Sequence, residues 1–164
     1  MEVLTKSPEE TRSLGEKISN SLKVKGERSN VKGAIILALT GELGNGKTTF
    51  VQGLSEGLGI KQRIISPTFI IMRKYRIKLI TKNSKLKTKT QNLELENFYH
   101  IDLYRIEENI ESEVSNLGIK DIWNNPENVV AIEWAEKIKK LLPKNTIWIK
   151  FENLGGERRK VTVS

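Results

Sequence analysis

Residues Gly41 to Thr49, which read GELGNGKTT, constrain the fold more than any other stretch of this chain. They follow the short run AIILAL, Ala34 to Leu39, whose aliphatic residues predict a strand buried on both faces, as strands of a parallel sheet are. Apolar residues then recur with helical spacing from Phe50 to Leu58, and Gly59 is suited to end that helix. A strand, a glycine-rich loop and a helix in this order predict an α/β domain.

The loop matches the pattern G-x-x-x-x-G-K-T of a phosphate-binding loop, with Gly41, Gly46, Lys47 and Thr48 at the fixed positions. Glycines, Gly44 among them, allow a tight turn in which successive N–H groups point at one anion. The start of the next helix adds its free amides. We expect Lys47 to reach the terminal phosphates and Thr48 to ligate Mg²⁺. The alternative is a glycine-rich turn with a chance lysine, but the flanking strand and helix favour the nucleotide site.

Such a site needs an acid at the end of a neighbouring strand. VVAIE ends in Glu133 after four apolar residues, whereas FYHID ends in Asp102 after a less apolar run. Hydrophobicity therefore favours Glu133 as the metal-site acid, and it leaves Asp102 to orient the attacking water or to bind the outer shell of the metal. His100 shares a strand face with Asp102 and is interpreted as a structural histidine, as is Arg105.

The rest of the chain predicts a central, mostly parallel sheet flanked by helices, with a C-terminal antiparallel hairpin, in one domain spanning residues 1–164. Ser7, Pro8 and Glu10 read as a capped helix start. Further helices are predicted over 111–118 and 135–142. Further strands are predicted over 69–77, 95–106, 129–134, 146–152 and 158–163.

Charge is distributed unevenly. The segment 73–93 holds eight Lys or Arg residues and no acid, so 20 of the 28 basic residues remain to balance the 20 acidic ones. This segment is predicted to be a solvated hairpin or a tRNA contact, with Tyr75 as its only aromatic residue for base stacking. The chain has no cysteine and one histidine, which argues against disulfides and a zinc enzyme. With no membrane-length apolar run and no secretory signal, a cytoplasmic protein is expected.

Four motifs in order, GELGNGKTTF, SPTF, HIDLYR and IEWAE, resemble the bacterial TsaE (YjeE) family. The stretches ETRSLGEKI and LGIKDIW are also similar, so the resemblance covers nearly the whole chain. It implies a small P-loop ATPase that uses ATP and Mg²⁺ and works with TsaB and TsaD to make threonylcarbamoyladenosine in tRNA.

The resemblance also implies a role for individual residues. The phosphates would be wrapped by Gly44, Asn45, Gly46, Lys47, Thr48 and Thr49. Thr48 and Glu133 would hold Mg²⁺, and Asp102 would support hydrolysis. Thr68 would lie in a switch-like loop near the γ-phosphate. The remaining nucleotide contacts would come from Thr11, Trp134 and a C-terminal arginine, which is Arg159 or Arg158.

One departure from the family pattern is the link between SPTF and HIDLYR, which carries a basic insertion hairpin at about 76–93. Two other functions stay open on the sequence alone, a small-molecule kinase and a nucleotide-gated RNA-binding module. A GTPase is disfavoured because the chain contains no Asn-Lys-x-Asp stretch. Without a certain arginine finger, weak activity alone and stimulation by TsaB and TsaD are expected.

Overall fold

The structure is a computed structural model that describes residues 1–24, 32–67, 70–77 and 95–164. Within these ranges seven strands form one sheet in the order β1-β7-β6-β2-β5-β4-β3. The strands are β1 (Glu2–Thr5), β2 (Ile35–Thr40), β3 (Met72–Arg76), β4 (Asn97–Asp102), β5 (Asn128–Glu133), β6 (Ile147–Asn153) and β7 (Arg159–Val163). Thr68 and residues 78–93 of the predicted insertion hairpin lie outside the described residues.

The four central strands, β6, β2, β5 and β4, are parallel. β7 and β3 pair antiparallel to the two sides of this group, and β1 pairs antiparallel to β7. The mostly parallel centre and the C-terminal hairpin of β6 and β7 were both predicted and are confirmed. β2 is buried along almost its whole length, as a strand covered on both faces must be. Parallel pairing brings the carboxyl ends of β2, β5 and β4 to one edge of the sheet.

The described helices are α1 (Pro8–Val24), α2 (Lys47–Gly57), α3 (Ile110–Asn116) and α4 (Ile119–Asn124), with a 3-10 helix at Ala135–Ile138. None of them has the length and apolar character needed to cross a bilayer. The predicted cap of α1 is present, because Ser7 Oγ accepts the Glu10 N–H at 3.3 Å. The Glu10 carboxylate accepts the N–H of Lys6 at 2.7 Å, one residue before the partner of a standard capping box.

Glycines set how closely α1 packs on α2. A Cβ on Gly53 would overlap the carbonyl oxygen of Arg12, and one on Gly15 would overlap that of Phe50. The backbones therefore approach more closely than any larger residue would permit. This contact holds the first turn of α1 beside the glycine-rich loop, where the Thr11 methyl would lie 3.5 Å from a Cβ on Gly46.

The helix predicted over 135–142 was wrong, since only the 3-10 helix at Ala135–Ile138 forms, and turns follow it. The preceding Trp134 has a left-handed backbone with φ of 61°, and Pro143 follows closely. Lys137 is drawn into tertiary contacts, with its Nζ donating to the carbonyl oxygens of Leu103 (2.9 Å), Tyr104 (2.8 Å) and Ile106 (2.9 Å). An eight-residue helix is marginal, so these contacts decide the local conformation.

Other boundaries also differ from the sequence prediction. β4 ends at Asp102 and β3 begins at Met72, so both strands are shorter than predicted. The four-residue strand β1 and the helix α4 were not predicted. Each is short, and a short segment carries too few repeats of a hydrophobic period to be recognised in the sequence.

Candidate functional site

The glycine-rich loop joins β2 to α2 as predicted, and its glycines adopt backbone conformations that other residues rarely take. Gly41, Gly44 and Gly46 have φ values of 131°, 78° and 93°. A Cβ on Gly41 would also overlap the carbonyl oxygen of Phe151 in β6. At Gly44 no atom of the described residues lies within 4 Å of the Cβ position, and the positive φ of 78° favours glycine there. The loop therefore needs glycine for its turns and, at Gly41, for close packing as well.

Lys47 opens α2 and is almost fully buried. Its Nζ donates to the carbonyl oxygens of Gly41 at 2.6 Å and Glu42 at 2.9 Å, and it lies 4.0 Å from the centre of the Trp134 ring. Burial lowers the pKa of the Lys47 ammonium from its ordinary value, and the nearby charges of Glu133, Glu136 and Asp102 oppose that lowering. The ammonium is held at the loop by carbonyl oxygens and an aromatic face.

Thr48 and Glu133 meet, as the sequence predicted for the two metal-site residues. The Thr48 hydroxyl lies 2.9 Å from both carboxylate oxygens of Glu133, which ends β5 and is 3% exposed. A hydroxyl and a buried carboxylate are oxygen donors of the kind that Mg²⁺ prefers. No group of three or more His, Asp or Glu side chains suited to a metal occurs in the described ranges.

Asp102 ends β4 directly opposite Glu133 in the parallel ladder. Its Oδ2 accepts the Ser66 hydroxyl at 2.5 Å, and its Oδ1 accepts the Tyr104 N–H at 3.0 Å. The side chain is 4% exposed and lines the same pocket as Lys47. Ser66 belongs to the SPTF motif, whose Thr68 lies outside the described residues.

His100 makes a contact that its interpretation as a structural histidine did not include. Its Nε2 lies 2.8 Å from Glu133 Oε1, and the ring is fully buried. The prediction that His100 and Asp102 share a strand face holds, but the partner of His100 lies on β5. Alternation of side chains along β4 was the only signal for this residue, since the pairing of β4 with β5 cannot be read from the sequence.

The remaining predicted contacts lie at the loop, but not all of them line the pocket. Asn45 donates from Nδ2 to the Phe151 carbonyl at 3.3 Å and thereby fastens the loop to β6. Thr11 is buried, with its Oγ1 2.8 Å from Thr5 Oγ1, and touches the loop through its methyl group. Thr49 and Trp134 line the pocket, whereas Thr11 does not.

The two candidate arginines differ in position. Arg159 donates from Nη2 to the carbonyl oxygen of Gly44 at 3.2 Å, whereas Arg158 donates to the carbonyl oxygen of Leu154 at 3.1 Å in its own hairpin. Of the two, Arg159 is therefore the one that reaches the glycine-rich loop, although it does not line the pocket.

Most of the residues described above line one pocket of about 360 Å³. It was predicted through its loop residues and its two carboxylates, but three lining residues were missed, namely Leu43, Ser66 and Tyr104. Tyr104 lies in the HIDLYR motif and packs on Trp134 with ring centres 5.2 Å apart. Leu43 and Tyr104 are 70% and 41% exposed, so the rim of the pocket presents apolar surface.

The predicted stacking residue of the basic segment is not available at the surface. Tyr75 is 8% exposed, and its ring centre lies 6.1 Å from that of Phe98 in the core. The exposed residues of β3 are Arg73, Lys74 and Arg76. The described part of the basic segment therefore offers charge without an accessible aromatic ring.

Comparison with known proteins identifies the family of the chain. The family model for the threonylcarbamoyl adenosine biosynthesis protein TsaE matches residues 5–161. The tRNA threonylcarbamoyladenosine biosynthesis protein TsaE of Bacillus subtilis is 32% identical over 158 residues, which are 96% of this chain and 81% of that protein. The protein of the same name from Aquifex aeolicus is 32% identical over 164 residues, which are 99% of this chain and 94% of that protein.

A solved structure gives the same result. The crystal structure of Bacillus subtilis YdiB superposes with a TM-score of 0.66 at 27% identity, and the match covers 99% of this chain and 83% of that one. Sequence and fold therefore agree over nearly the whole length. The chain belongs to the TsaE family, with a P-loop NTPase-type fold and the role in threonylcarbamoyladenosine biosynthesis for which that family is named.

Proposed function

We propose that the chain is an ATPase that hydrolyses ATP with Mg²⁺ in support of the TsaB and TsaD proteins, which make threonylcarbamoyladenosine in tRNA. One observation carries the nucleotide site. Lys47, the Thr48–Glu133 pair and Asp102 surround one pocket where α2 begins and the parallel strands end. That edge of an α/β sheet is where ligands of such folds bind.

The phosphates would be bound mainly by the backbone. The first N–H groups of α2, those of residues 47–49, have no partner within the helix, and residues 44–46 of the loop directly precede them. Lys47 now donates to two neutral carbonyl oxygens. A phosphate oxygen is a stronger acceptor because charge-assisted hydrogen bonds are about twice as strong as neutral ones. The Lys47 ammonium should therefore exchange its two carbonyl acceptors for phosphate oxygens when nucleotide binds.

Thr48 and Glu133 would hold Mg²⁺ beside the phosphates. The ion would supply positive charge that stabilises the transferring phosphoryl group. The Thr48 hydroxyl now donates to Glu133, and it can accept a metal through its oxygen lone pairs instead. Glu133 also contacts His100, whose Nε2 lies 2.8 Å from Oε1.

Asp102 would orient the attacking water. Its contacts include the Ser66 hydroxyl at Oδ2 and the Tyr104 N–H at Oδ1, and it lines the pocket together with Lys47 and Glu133. Thr68, two residues after Ser66, is proposed to approach the γ-phosphate. Thr11, Trp134 and Arg159 are proposed to contact the nucleotide at the edges of the loop, where the structure has them adjoining Gly46, Lys47 and Gly44.

The proposed stimulation by TsaB and TsaD rests on the arginine finger, a residue that other P-loop NTPases place at the phosphates. No arginine in the described ranges lines the pocket. A P-loop NTPase without an arginine finger turns over slowly, and a partner that completes the site raises the rate by about 10³-fold or more. The exposed Leu43 and Tyr104 at the rim give TsaB or TsaD apolar surface to cover. We place this activity in the cytoplasm, with tRNA modification.

The test is ATP turnover by the purified chain, measured as free phosphate, with and without TsaB and TsaD. We expect slow release alone and a marked increase with both partners. Phosphate transferred to a metabolite instead of water would favour the kinase alternative. An unchanged rate on adding both partners would contradict the proposed partnership.

A direct contact with tRNA is a second proposal, supported by the exposed Arg73, Lys74 and Arg76 on the edge strand β3. We further propose that residues 1–164 form a single domain with a basic insertion hairpin at about 76–93. tRNA affinity should be measured at several salt concentrations for the intact chain and for a chain with 78–93 replaced by a short glycine-serine turn. Equal affinity and equal salt dependence in both would rule out a contact through the insertion.

A further inference from the structure

The side chain of His100 is the least explained polar group near the site. It is the only histidine of the chain, it is fully buried in β4, and its Nε2 lies 2.8 Å from Glu133 Oε1. In the β4–β5 ladder His100 pairs with Ala131, and Glu133 lies two residues further along the same face of β5. Diagonal neighbours of this kind are within reach of a long side chain.

The hydrogen-bond pattern defines the tautomer. A carboxylate oxygen only accepts, so Nε2 must carry a hydrogen to bond Glu133. Nδ1 is buried and has no hydrogen-bond partner among the residues that the structure describes. The contact with the carboxylate therefore places a hydrogen on Nε2.

Glu133 is held from two sides. Thr48 Oγ1 is 2.9 Å from each carboxylate oxygen, so the hydroxyl does not distinguish between them. His100 contacts Oε1 alone and thereby fixes the rotation of the carboxylate about its own axis. His100 lies in β4 and Thr48 in α2, so the two contacts with Glu133 come from different elements.

We propose that His100 is a positioning residue that fixes Glu133 for Mg²⁺, an inference that rests on the proposed metal role of Glu133. A histidine that only fills the core would affect folding but not the metal. A positioning histidine changes the affinity for metal while the nucleotide amides and Lys47 keep their affinity for ADP. Loss of a hydrogen-bonding partner behind a metal ligand weakens metal binding by about 10-fold to 100-fold.

The test compares His100→Leu, which removes the donor at similar size, with His100→Gln, whose amide nitrogen can still donate to Glu133. Phe98→Leu is the matched control, because Phe98 is fully buried on the same face of β4 two residues away. Mn²⁺ affinity in the presence of ADP is measured by electron paramagnetic resonance, and ADP affinity is measured by calorimetry in EDTA.

We expect His100→Leu to weaken Mn²⁺ binding by about 10-fold, with ADP affinity in EDTA close to that of the wild type. His100→Gln should restore most of the Mn²⁺ affinity, and Phe98→Leu should retain it. Wild-type Mn²⁺ affinity in His100→Leu, with ADP binding intact, would overturn the role of His100 alone. A wild-type chain that bound neither ADP nor Mn²⁺ would overturn the proposed function as well.

A measurement on the unmodified chain decides the question even if His100→Leu does not fold. Since the chain has one histidine, its imidazole ¹⁵N signals belong to His100 without further assignment. We expect the hydrogen on Nε2 both in the free chain and after addition of Mg²⁺ and ADP. A hydrogen on Nδ1 only, in either state, would show that His100 does not donate to Glu133 and would overturn the proposal.

Discussion

Glu133 and Asp102 end neighbouring parallel strands, face each other in the ladder and are almost equally buried, yet different parts of the fold hold them. The contacts of Glu133 come from regular elements, with His100 in β4 and Thr48 in α2. Those of Asp102 include the Ser66 hydroxyl and the Tyr104 N–H, both in connecting segments. The same chemical group is thus held by the core in one case and by loops in the other.

This difference suits two roles. A metal ligand must keep one geometry, and strands and helices provide it more precisely than loops do. A group that orients water in the nucleotide-bound state can depend on segments that rearrange when nucleotide or a partner binds. The contrast supports assigning the ion to Glu133 and the water to Asp102.

The largest effect is expected for Glu133→Gln. Loss of the carboxylate charge should reduce ATP turnover by about 10³-fold, since metal-ion stabilisation of a transition state is worth several kcal/mol. Mn²⁺ affinity in the presence of ADP should fall with it. Phosphate release at saturating Mg²⁺ and ATP measures the first effect, and paramagnetic resonance measures the second.

Glu136→Gln is the matched control, because Glu136 follows in the 3-10 helix, is exposed and does not line the pocket. It should keep nearly wild-type turnover. An equal loss of ATP turnover in Glu133→Gln and Glu136→Gln would mean that Glu133 acts only through the overall negative charge near the loop.

Asp102→Asn should lower kcat by about 10²-fold, as removal of a group that orients or accepts a proton does. The Mn²⁺ affinity measured with ADP should stay close to that of the wild type. Single-turnover measurements separate the two effects, since they report hydrolysis after binding is complete. A loss of Mn²⁺ affinity as large as that of Glu133→Gln would make the two carboxylates equivalent and end the comparison.

Ser66→Ala tests whether the loop contact matters to Asp102. The hydroxyl donates to a charged group at 2.5 Å, and its loss should lower kcat by about 3-fold to 10-fold through poorer orientation. Ser21→Ala is the control, since that exposed hydroxyl bonds only the nearby carbonyl of Ile18 in α1. Turnover of Ser66→Ala equal to that of Ser21→Ala would show that the contact has no catalytic consequence.

The smallest effect concerns the pH dependence of ADP binding in EDTA. Only protonated Lys47 attracts phosphate, so affinity should fall as pH rises through its pKa, which burial lowers from the ordinary value. Glu133 opposes that lowering most strongly, and Asp102 opposes it less. In Glu133→Gln, the loss of ADP affinity at alkaline pH should therefore begin at a lower pH than in Asp102→Asn. Fluorescence titrations from neutral to alkaline pH measure this order, and the reverse order would contradict it.

The sequence predicted the part of the site that is contiguous in the chain. The residues of the loop lie side by side, so the spacing of Gly41, Gly46 and Lys47 already determines their geometry. Glu133 could be predicted because a run of apolar residues marks a buried strand whose end is fixed by the fold. Asp102 followed from the same reasoning applied to a weaker run.

What the sequence did not predict depends on contacts between distant segments. The His100–Glu133 hydrogen bond requires the register of β4 against β5, and the alternation of side chains along one strand does not specify it. The helix predicted over 135–142 was wrong because the backbone of Trp134 and the carbonyl contacts of Lys137 override a weak local preference. The close contact of Gly15 and Gly53 likewise appears only when α1 and α2 pack together.

Calorimetric titration of ADP with Mg²⁺ into the wild-type chain and into Lys47→Ala tests the phosphate-binding loop most directly. We predict saturable heat for one site in the wild type and an affinity lower by about 10²-fold or more in the variant, which corresponds to nearly 3 kcal/mol. Absence of heat in the wild type, or equal affinities in the two chains, would contradict the assignment of residues 41–49 as a phosphate site.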